Sequence, residues 1–143
     1  MHLKLSSSPF AIVDSAKAYL SSTGAGTFSF QNASNGVNYY LHLKHRNSIE
    51  TWSSVTVMFD PLTKQAEYDF RSSASQAYGN NLILKSGKYC DYSGDVNQDG
   101  FVNLADVLLI FNASSVFSSG YVVSDVNGDG IADLTDITIA YNN

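Results

Sequence analysis

The chain has a single cysteine, Cys90, which rules out an internal disulfide and leaves its redox compartment unmarked. No stretch approaches the roughly 18 consecutive apolar residues that a membrane span needs. Charge is scarce, at 15% of residues, against about 25% in an ordinary soluble domain. Eight Lys and Arg against 13 Asp and Glu, a formal −5, exclude the basic surface that nucleic acid requires. No His-Glu-x-x-His, Gly-x-Ser-x-Gly, P-loop or dinucleotide-binding motif is present, so an enzyme is not expected. Nine Tyr, eight Phe and one Trp supply enough surface to bury, and disorder is excluded on that ground. A length of 143 residues suits one mid-sized domain or two small ones.

Basic residues are missing altogether after Lys88. Residues 1–93 hold all eight bases against six acids, a sum of +2, whereas residues 94–143 hold seven aspartates and no base, a sum of −7. Fifty residues at −7 repel themselves unless something neutralises them. The asymmetry sets an expected boundary at Ser93, between a first domain over 1–93 and a second over 94–143.

The first domain reads as strands. Apolar and polar residues alternate with period two in Met1–Leu5, Thr27–Phe30, Asn38–Arg46, Val55–Phe59 and Ala66–Arg71, with shorter candidates at Leu82–Leu84 and Lys88–Cys90. In Asn38–Arg46 the alternation puts Tyr39, Leu41 and Leu43 on one face and Tyr40, His42, Lys44 and Arg46 on the other. Turn formers such as Ser8-Pro9, Gly24-Ala-Gly26, Asn35-Gly36, Asp60-Pro61 and Gly79-Asn-Asn81 separate the runs. Six or seven short strands so spaced predict an antiparallel β-sandwich, and no helical period precedes position 94.

Beyond Gly94 the chain repeats itself at a period of 30 residues. Asp95-Val-Asn97-Gln-Asp99-Gly100-Phe-Val-Asn103-Leu-Ala-Asp106 aligns with Asp125-Val-Asn127-Gly-Asp129-Gly130-Ile-Ala-Asp133-Leu-Thr-Asp136. Calcium is a hard cation taking six to eight oxygens, and a twelve-residue loop supplies them from positions 1, 3, 5, 7, 9 and 12 around a sharp turn at a glycine in the sixth position. Gly100 and Gly130 stand at that position. The first loop offers Asp95, Asn97, Asp99, the Phe101 carbonyl, Asn103 and Asp106. The second offers Asp125, Asn127, Asp129, the Ile131 carbonyl, Asp133 and Asp136. Position 9 commonly acts through water, which makes Asn103 and Asp133 the weakest of the set, and position 12 is Asp where Glu is usual. Magnesium fits poorly because it demands near-octahedral geometry, and no Cys or His stands in either loop for zinc. Asp106 and Asp136 must point back into their loops, which predicts a short helix starting inside each repeat. The apolar faces of Val107, Leu108, Ile110, Phe111, Ile137, Ile139 and Tyr141 are expected to pack the two units together, with Val102 and Ala132 joining the loops in a short ladder. A unit of about 50 residues rarely stabilises itself without such staples, so metal binding and folding are expected to be coupled. Two Ca²⁺ ions take the seven aspartates from −7 to −3, and the whole chain from −5 to −1.

A duplicated loop and exit helix with Asp at position 12 resembles the type I dockerin repeat of extracellular bacterial proteins, over about residues 94–142. The resemblance implies calcium ligation at the positions named and a non-catalytic docking module. Cellulosomal dockerins typically read cohesin with Ser-Thr-like pairs at loop positions 10 and 11, where this chain has Leu104-Ala105 and Leu134-Thr135. Gly26–Phe30 and Gly36–Arg46 resemble a transthyretin-like or carboxypeptidase-regulatory-like sandwich, of immunoglobulin-like type. The whole chain is similar to C-terminal modules of large secreted bacterial surface proteins, modules that continue past Tyr141-Asn-Asn143.

Other residues carry less. His42 and His45 differ by three on a strand and face opposite sides, so they do not share a metal. Around Trp52, the turn His45–Trp52 reads as an edge capped by a salt bridge, with Trp52 in the core. Cys90 reads as a small buried residue. Asn32-Ala-Ser34 and Asn112-Ala-Ser114 match the N-glycosylation pattern, and Asp14-Ser15-Ala16 an O-glycosylation acceptor of some bacterial proteins. The expectation is a mainly β protein: an antiparallel β-sandwich followed by a small α-helical pair of EF-hand-like calcium repeats. Its expected role is structural or adhesive at the bacterial cell surface, with the first strand and the C-terminal edge offering material for strand exchange or a filament. A dockerin-type module binding a cohesin-like receptor is the alternative, and a carbohydrate-binding sandwich a second one. The partner is therefore a protein, itself or another surface protein, or more weakly a glycan.

Overall fold

A computed structural model describes all 143 residues. The regular elements of the chain are mostly strands, with two short α-helices at its C-terminal end, and it divides into two compact units. One comprises Met1–Lys44 and Thr51–Cys90, the other His45–Glu50 and Asp91–Asn143.

The first unit is built on β3 (Asn38–Leu43), which pairs antiparallel with β1 (His2–Leu5) along one side and with β4 (Thr51–Trp52) and β5 (Val57–Met58) along the other. Beyond β1 lies β2 (Ile12–Ser15), whose register slips at a bulge between Leu3 and Lys4. Because β1 is paired on both sides, the strand offered for exchange by the sequence is already engaged. A separate hairpin joins β6 (Ile83–Lys85) to β7 (Lys88–Cys90).

The period-two alternation in β1 and β3 sorts the side chains as expected. Leu3, Tyr39 and Leu41 are buried on one face with Val57, packed by Phe30, Phe59, Tyr68 and Phe70 among others. The opposite face carries a cross-strand stack: the His42 ring lies 4.9 Å from that of Trp52 at 21°, and Lys4 Nζ stands 4.3 Å over Trp52. Trp52, expected in the core, is half-buried in this stack instead. Such pairs across a sheet hold it together on the face away from the core. They also bury His42, on the polar side of the alternation.

Thr27–Phe30 and Ala66–Arg71 are not strands. Phe30, Tyr68 and Phe70 alternate because they reach the core, while their backbones pair with no ladder. At Asp69 the reason is local, since its carboxylate accepts from the Arg71 N–H at 3.0 Å and from Arg71 Nε at 2.8 Å, a side-chain turn that competes with strand pairing. Two strands are absent from the sequence reading: β2, whose Ile-Val-Asp-Ser does not alternate, and β4, which has only two residues. Cys90 is exposed rather than buried: β7 turns Tyr89 inward and its two neighbours outward.

In the second unit α1 (Leu104–Ser114) and α2 (Leu134–Tyr141) pack around Val96, Ile110 and Ala140, with Val102, Val107, Val126 and Ile137 at the margin. Each helix does start inside its repeat. The inward face of α1 is Asp106, Ile110 and Ser114, at i, i+4 and i+8. That face leaves Leu108 and Phe111 exposed, as Tyr141 is on α2, so the expected packing of these three is corrected. The expected Val102–Ala132 ladder is not formed either, because the Ala132 N–H donates to the Ser118 carbonyl and Ile131 bridges Ser119.

Gly94 introduces the first loop at φ +111, and a Cβ there would lie 2.9 Å from the Cα of Ala140. Gly94→Ala therefore combines a disfavoured backbone with a contact that only main-chain movement relieves, and should cost about 1–3 kcal/mol. Leu3→Ala, at a fully buried position, should cost about 2–5 kcal/mol. Urea unfolding of the full chain checks both. In the first unit, backbone N–H groups, of Asn32 and then Ser15 at Asp14 and of Thr63 and then Leu62 at Asp60, hold these carboxyls below the usual aspartate range. Depressed values stabilise the folded chain above the ordinary aspartate pKa of about 3.9 and stop doing so as pH falls through the folded value. Stability followed by urea midpoint should thus decline below about pH 4, and less steeply in Asp14→Asn.

Candidate metal centre

Each loop is organised by its first and last aspartate. Asp95, Asp106, Asp125 and Asp136 are all buried, at 0–2% exposure. Between them the chain is exposed at Asn97, Asp99, Asn127 and Asp129. Burying four acidic side chains is costly unless each is hydrogen-bonded or paired with a cation.

Position 12 supplies the closure. Asp106 Oδ1 accepts from the N–H groups of Val96 at 2.9 Å and Asn97 at 3.2 Å, and Oδ2 from that of Asn103 at 3.0 Å. Asp136 repeats this with Val126 at 2.7 Å, Asn127 at 2.9 Å and Asp133 at 2.8 Å. The third of these contacts is one half of a capping box in each helix. Its other half is the position 9 side chain, which accepts from the N–H of Asp106 or Asp136. Oδ1 of Asn103 also accepts from the Ala105 N–H at 2.8 Å, and that of Asp133 from Thr135 at 2.7 Å. Asn103 and Asp133 are therefore helix caps, a role the sequence reading overlooked. An Asn or Asp three residues before Asp at a helix start is the signal that would have found it.

Position 1 organises the turn. Asp95 Oδ1 accepts from the Asp99 N–H and Oδ2 from that of Gly100, both at 3.1 Å. Asp125 takes Asp129 and Gly130 at the same distances. Gly100 and Gly130 sit at φ 89 and 93, the left-handed region that a turn around a central point demands. At positions 3 and 5, Asn97 Nδ2 donates to Asp99 Oδ2 at 3.0 Å and Asn127 Nδ2 to Asp129 Oδ2 at 2.9 Å. In these contacts the loops match bond for bond across 30 residues.

In the first loop one carboxylate oxygen from each of Asp95, Asp99 and Asp106 lies within 4.8 Å of the other two. Oxygens on opposite sides of a calcium ion, bound at 2.3–2.6 Å, stand about 4.6–5.2 Å apart, so this spacing fits a shared ion. The donor set is all oxygen, which suits calcium and not zinc.

Residues 93–143 match the family model of the dockerin type I domain. Dockerin type I domains bind calcium, and the match spans both loops and both helices. No curated protein and no solved structure matches the chain. No helix is long and apolar enough to cross a membrane. His42 stacks on Trp52, and His45 Nδ1 lies 3.3 Å from the Ser48 hydroxyl. Arg46 of the His45–Trp52 turn pairs with Asp125 within its own unit.

Substitutions at positions 5 and 12 should separate two roles. Asp106→Ala strips three N–H groups of their acceptor and should destabilise the metal-free unit by at least about 2 kcal/mol. Asp99→Ala, at an exposed site, should leave metal-free stability within about 0.5 kcal/mol while weakening calcium binding. Urea unfolding in EGTA and calcium calorimetry read the two effects separately.

Proposed function

We propose that this chain is a non-catalytic, secreted module whose dockerin-type unit binds two calcium ions and docks a protein partner. The observation that carries it is the pair of loops, each closed by a buried Asp at both ends and each leading directly into a capped helix. In this reading Asp95, Asn97, Asp99, the Phe101 carbonyl and Asp106 hold one ion. Asp125, Asn127, Asp129, the Ile131 carbonyl and Asp136 hold the other. Asn103 and Asp133 act from position 9 through water, since Oδ1 of each caps its helix. Calcium supplies charge neutralisation and cross-linking within the loop, and no reaction is routed through it.

A protein partner is supported by the outward faces of the helices. Leu104, Leu108, Phe111, Leu134 and Tyr141 are all exposed, and apolar side chains concentrated on one small unit mark an interaction surface. Leu104 and Leu134 stand at loop position 10, where cellulosomal relatives carry polar recognition residues. The partner this surface selects is accordingly more apolar than a cellulosomal cohesin, which favours another surface protein or a second copy of the chain. The seven antiparallel strands of the first unit support its reading as a transthyretin-like, sandwich-type scaffold, with a structural or adhesive role at the bacterial surface.

Calcium at about 100 times its dissociation constant should stabilise the second unit by about 2.7 kcal/mol for each ion bound. Thermal melts in calcium and in EGTA check this, and equal stability in the two would refute the calcium reading. Analytical ultracentrifugation of the calcium-loaded chain, alone and with cohesin-type receptors, separates self-association from docking. A strict monomer excludes the filament, and failure to bind any receptor type excludes cohesin docking.

A further inference from the structure

The two loops differ around their first residue, beginning with its carbonyl. In the first, Gln98 at position 4 turns back on its own loop, and its Nε2 donates to the Asp95 carbonyl at 2.8 Å and to that of Ser48 at 3.2 Å. Position 4 of the second loop is Gly128, which has no side chain to do this. There the Asp125 carbonyl is taken by Asn47 Nδ2 at 2.9 Å and Arg46 Nη2 at 2.8 Å. Arg46 and Asn47 come from the His45–Glu50 segment, which lies in the same compact unit as both loops. Its main chain is tied there as well: the Gly94 N–H donates to the Asn47 carbonyl at 2.6 Å, and the Ile49 N–H to that of Tyr92 at 2.8 Å.

Arg46 brings a charge as well as a donor. Its Nη2 lies 3.3 Å from Asp125 Oδ2, in an ion pair whose side chains are 16% and 3% exposed. Its guanidinium carbon stands 4.1 Å over the Tyr121 ring, and its Nε is buried without a partner. Asn47, fully buried, also donates to the Val123 carbonyl at 3.0 Å. Asp125 also receives the N–H groups of Gly128 at 2.8 Å, Asp129 and Gly130, whereas the equivalent carboxylate of the first loop, Asp95, receives those of Asp99 and Gly100 and no cation.

We propose that Arg46 is a resident cation of the second loop and makes the two calcium sites unequal. The guanidinium holds its charge at every accessible pH, and at this burial it is only weakly screened by salt. It neutralises part of Asp125 before any metal arrives, which keeps the second loop in shape at low calcium. The same charge repels a divalent ion sharing that carboxylate, so the first loop fills at lower calcium than the second. This rests on the reading of both loops as calcium sites, and it adds a specificity-determining residue from a segment 79 positions away in the chain.

A calcium titration of the full chain followed by ¹⁵N–¹H NMR tests it, because Gly100 and Gly130 each donate to the position 1 carboxylate of their own loop and report the loops separately. The expected result is a midpoint for Gly130 at about tenfold higher calcium than for Gly100. Arg46→Gln should bring the Gly130 midpoint down toward that of Gly100 without moving the latter, and Arg46→Lys, which keeps the charge, should preserve the gap. Coincident midpoints in the unaltered protein overturn the proposal without any variant. So does a Gly130 midpoint that stays or rises in Arg46→Gln, which would leave Arg46 a purely structural prop. If neither glycine responds to calcium, the calcium reading falls and this proposal falls with it.

Discussion

The second unit depends on two carboxylates, Asp106 and Asp136, each fully buried where loop meets helix. Each gathers two N–H groups from the start of its loop and one from the helix cap, so entry, exit and helix axis are fixed by one side chain. The consequence reaches the helix surface. With Asp106 turned into its loop, the positions one and two turns later, Ile110 and Ser114, must face inward. Leu108 and Phe111, on other faces of the same helix, are thereby delivered to solvent. An electrostatic requirement of the loop thus decides which apolar residues form a core and which form a surface.

The same constraint assigns position 9 to the helix. A twelve-residue loop has few side chains, and capping the helix draws on Asn103 and Asp133. What the local chain cannot provide is recruited from elsewhere. Gln98 satisfies the Asp95 carbonyl from within, whereas Gly128 leaves the Asp125 carbonyl to Arg46 and Asn47. Two loops of near-identical pattern are in this way embedded in different electrostatic surroundings.

The first unit obeys a simpler rule. Alternation placed Leu3, Tyr39 and Leu41 in the core correctly because β1 and β3 alternate and are paired with each other along β1. It misled at Thr27–Phe30 and Ala66–Arg71, where aromatic residues reach the core from irregular backbone. Periodicity reports which side chains are buried, and it says nothing of where the backbone hydrogen bonds go. Both β2 and β4 escaped for the opposite reason, being held by their partners rather than by any pattern of their own.

The division between sequence and structure follows sequence distance. Much of what closes within about a dozen residues was readable: the aspartates that open and close each loop, the turn glycines Gly100 and Gly130, and the helix that must begin inside each repeat; the caps at Asn103 and Asp133, though local, were missed. Those features rest on hydrogen bonds spanning ten residues or fewer, such as Val96 to Asp106. Three things needed the tertiary structure: the exposure of Cys90, the face that each helix presents, and the ion pair between Arg46 and Asp125. That pair joins residues 79 apart, and no local pattern encodes it, because its geometry exists only once two distant segments share one fold. The strongly acidic final fifty residues therefore pointed to a cation, while Arg46, a basic side chain set against one of their carboxylates, became visible only when the chain was folded.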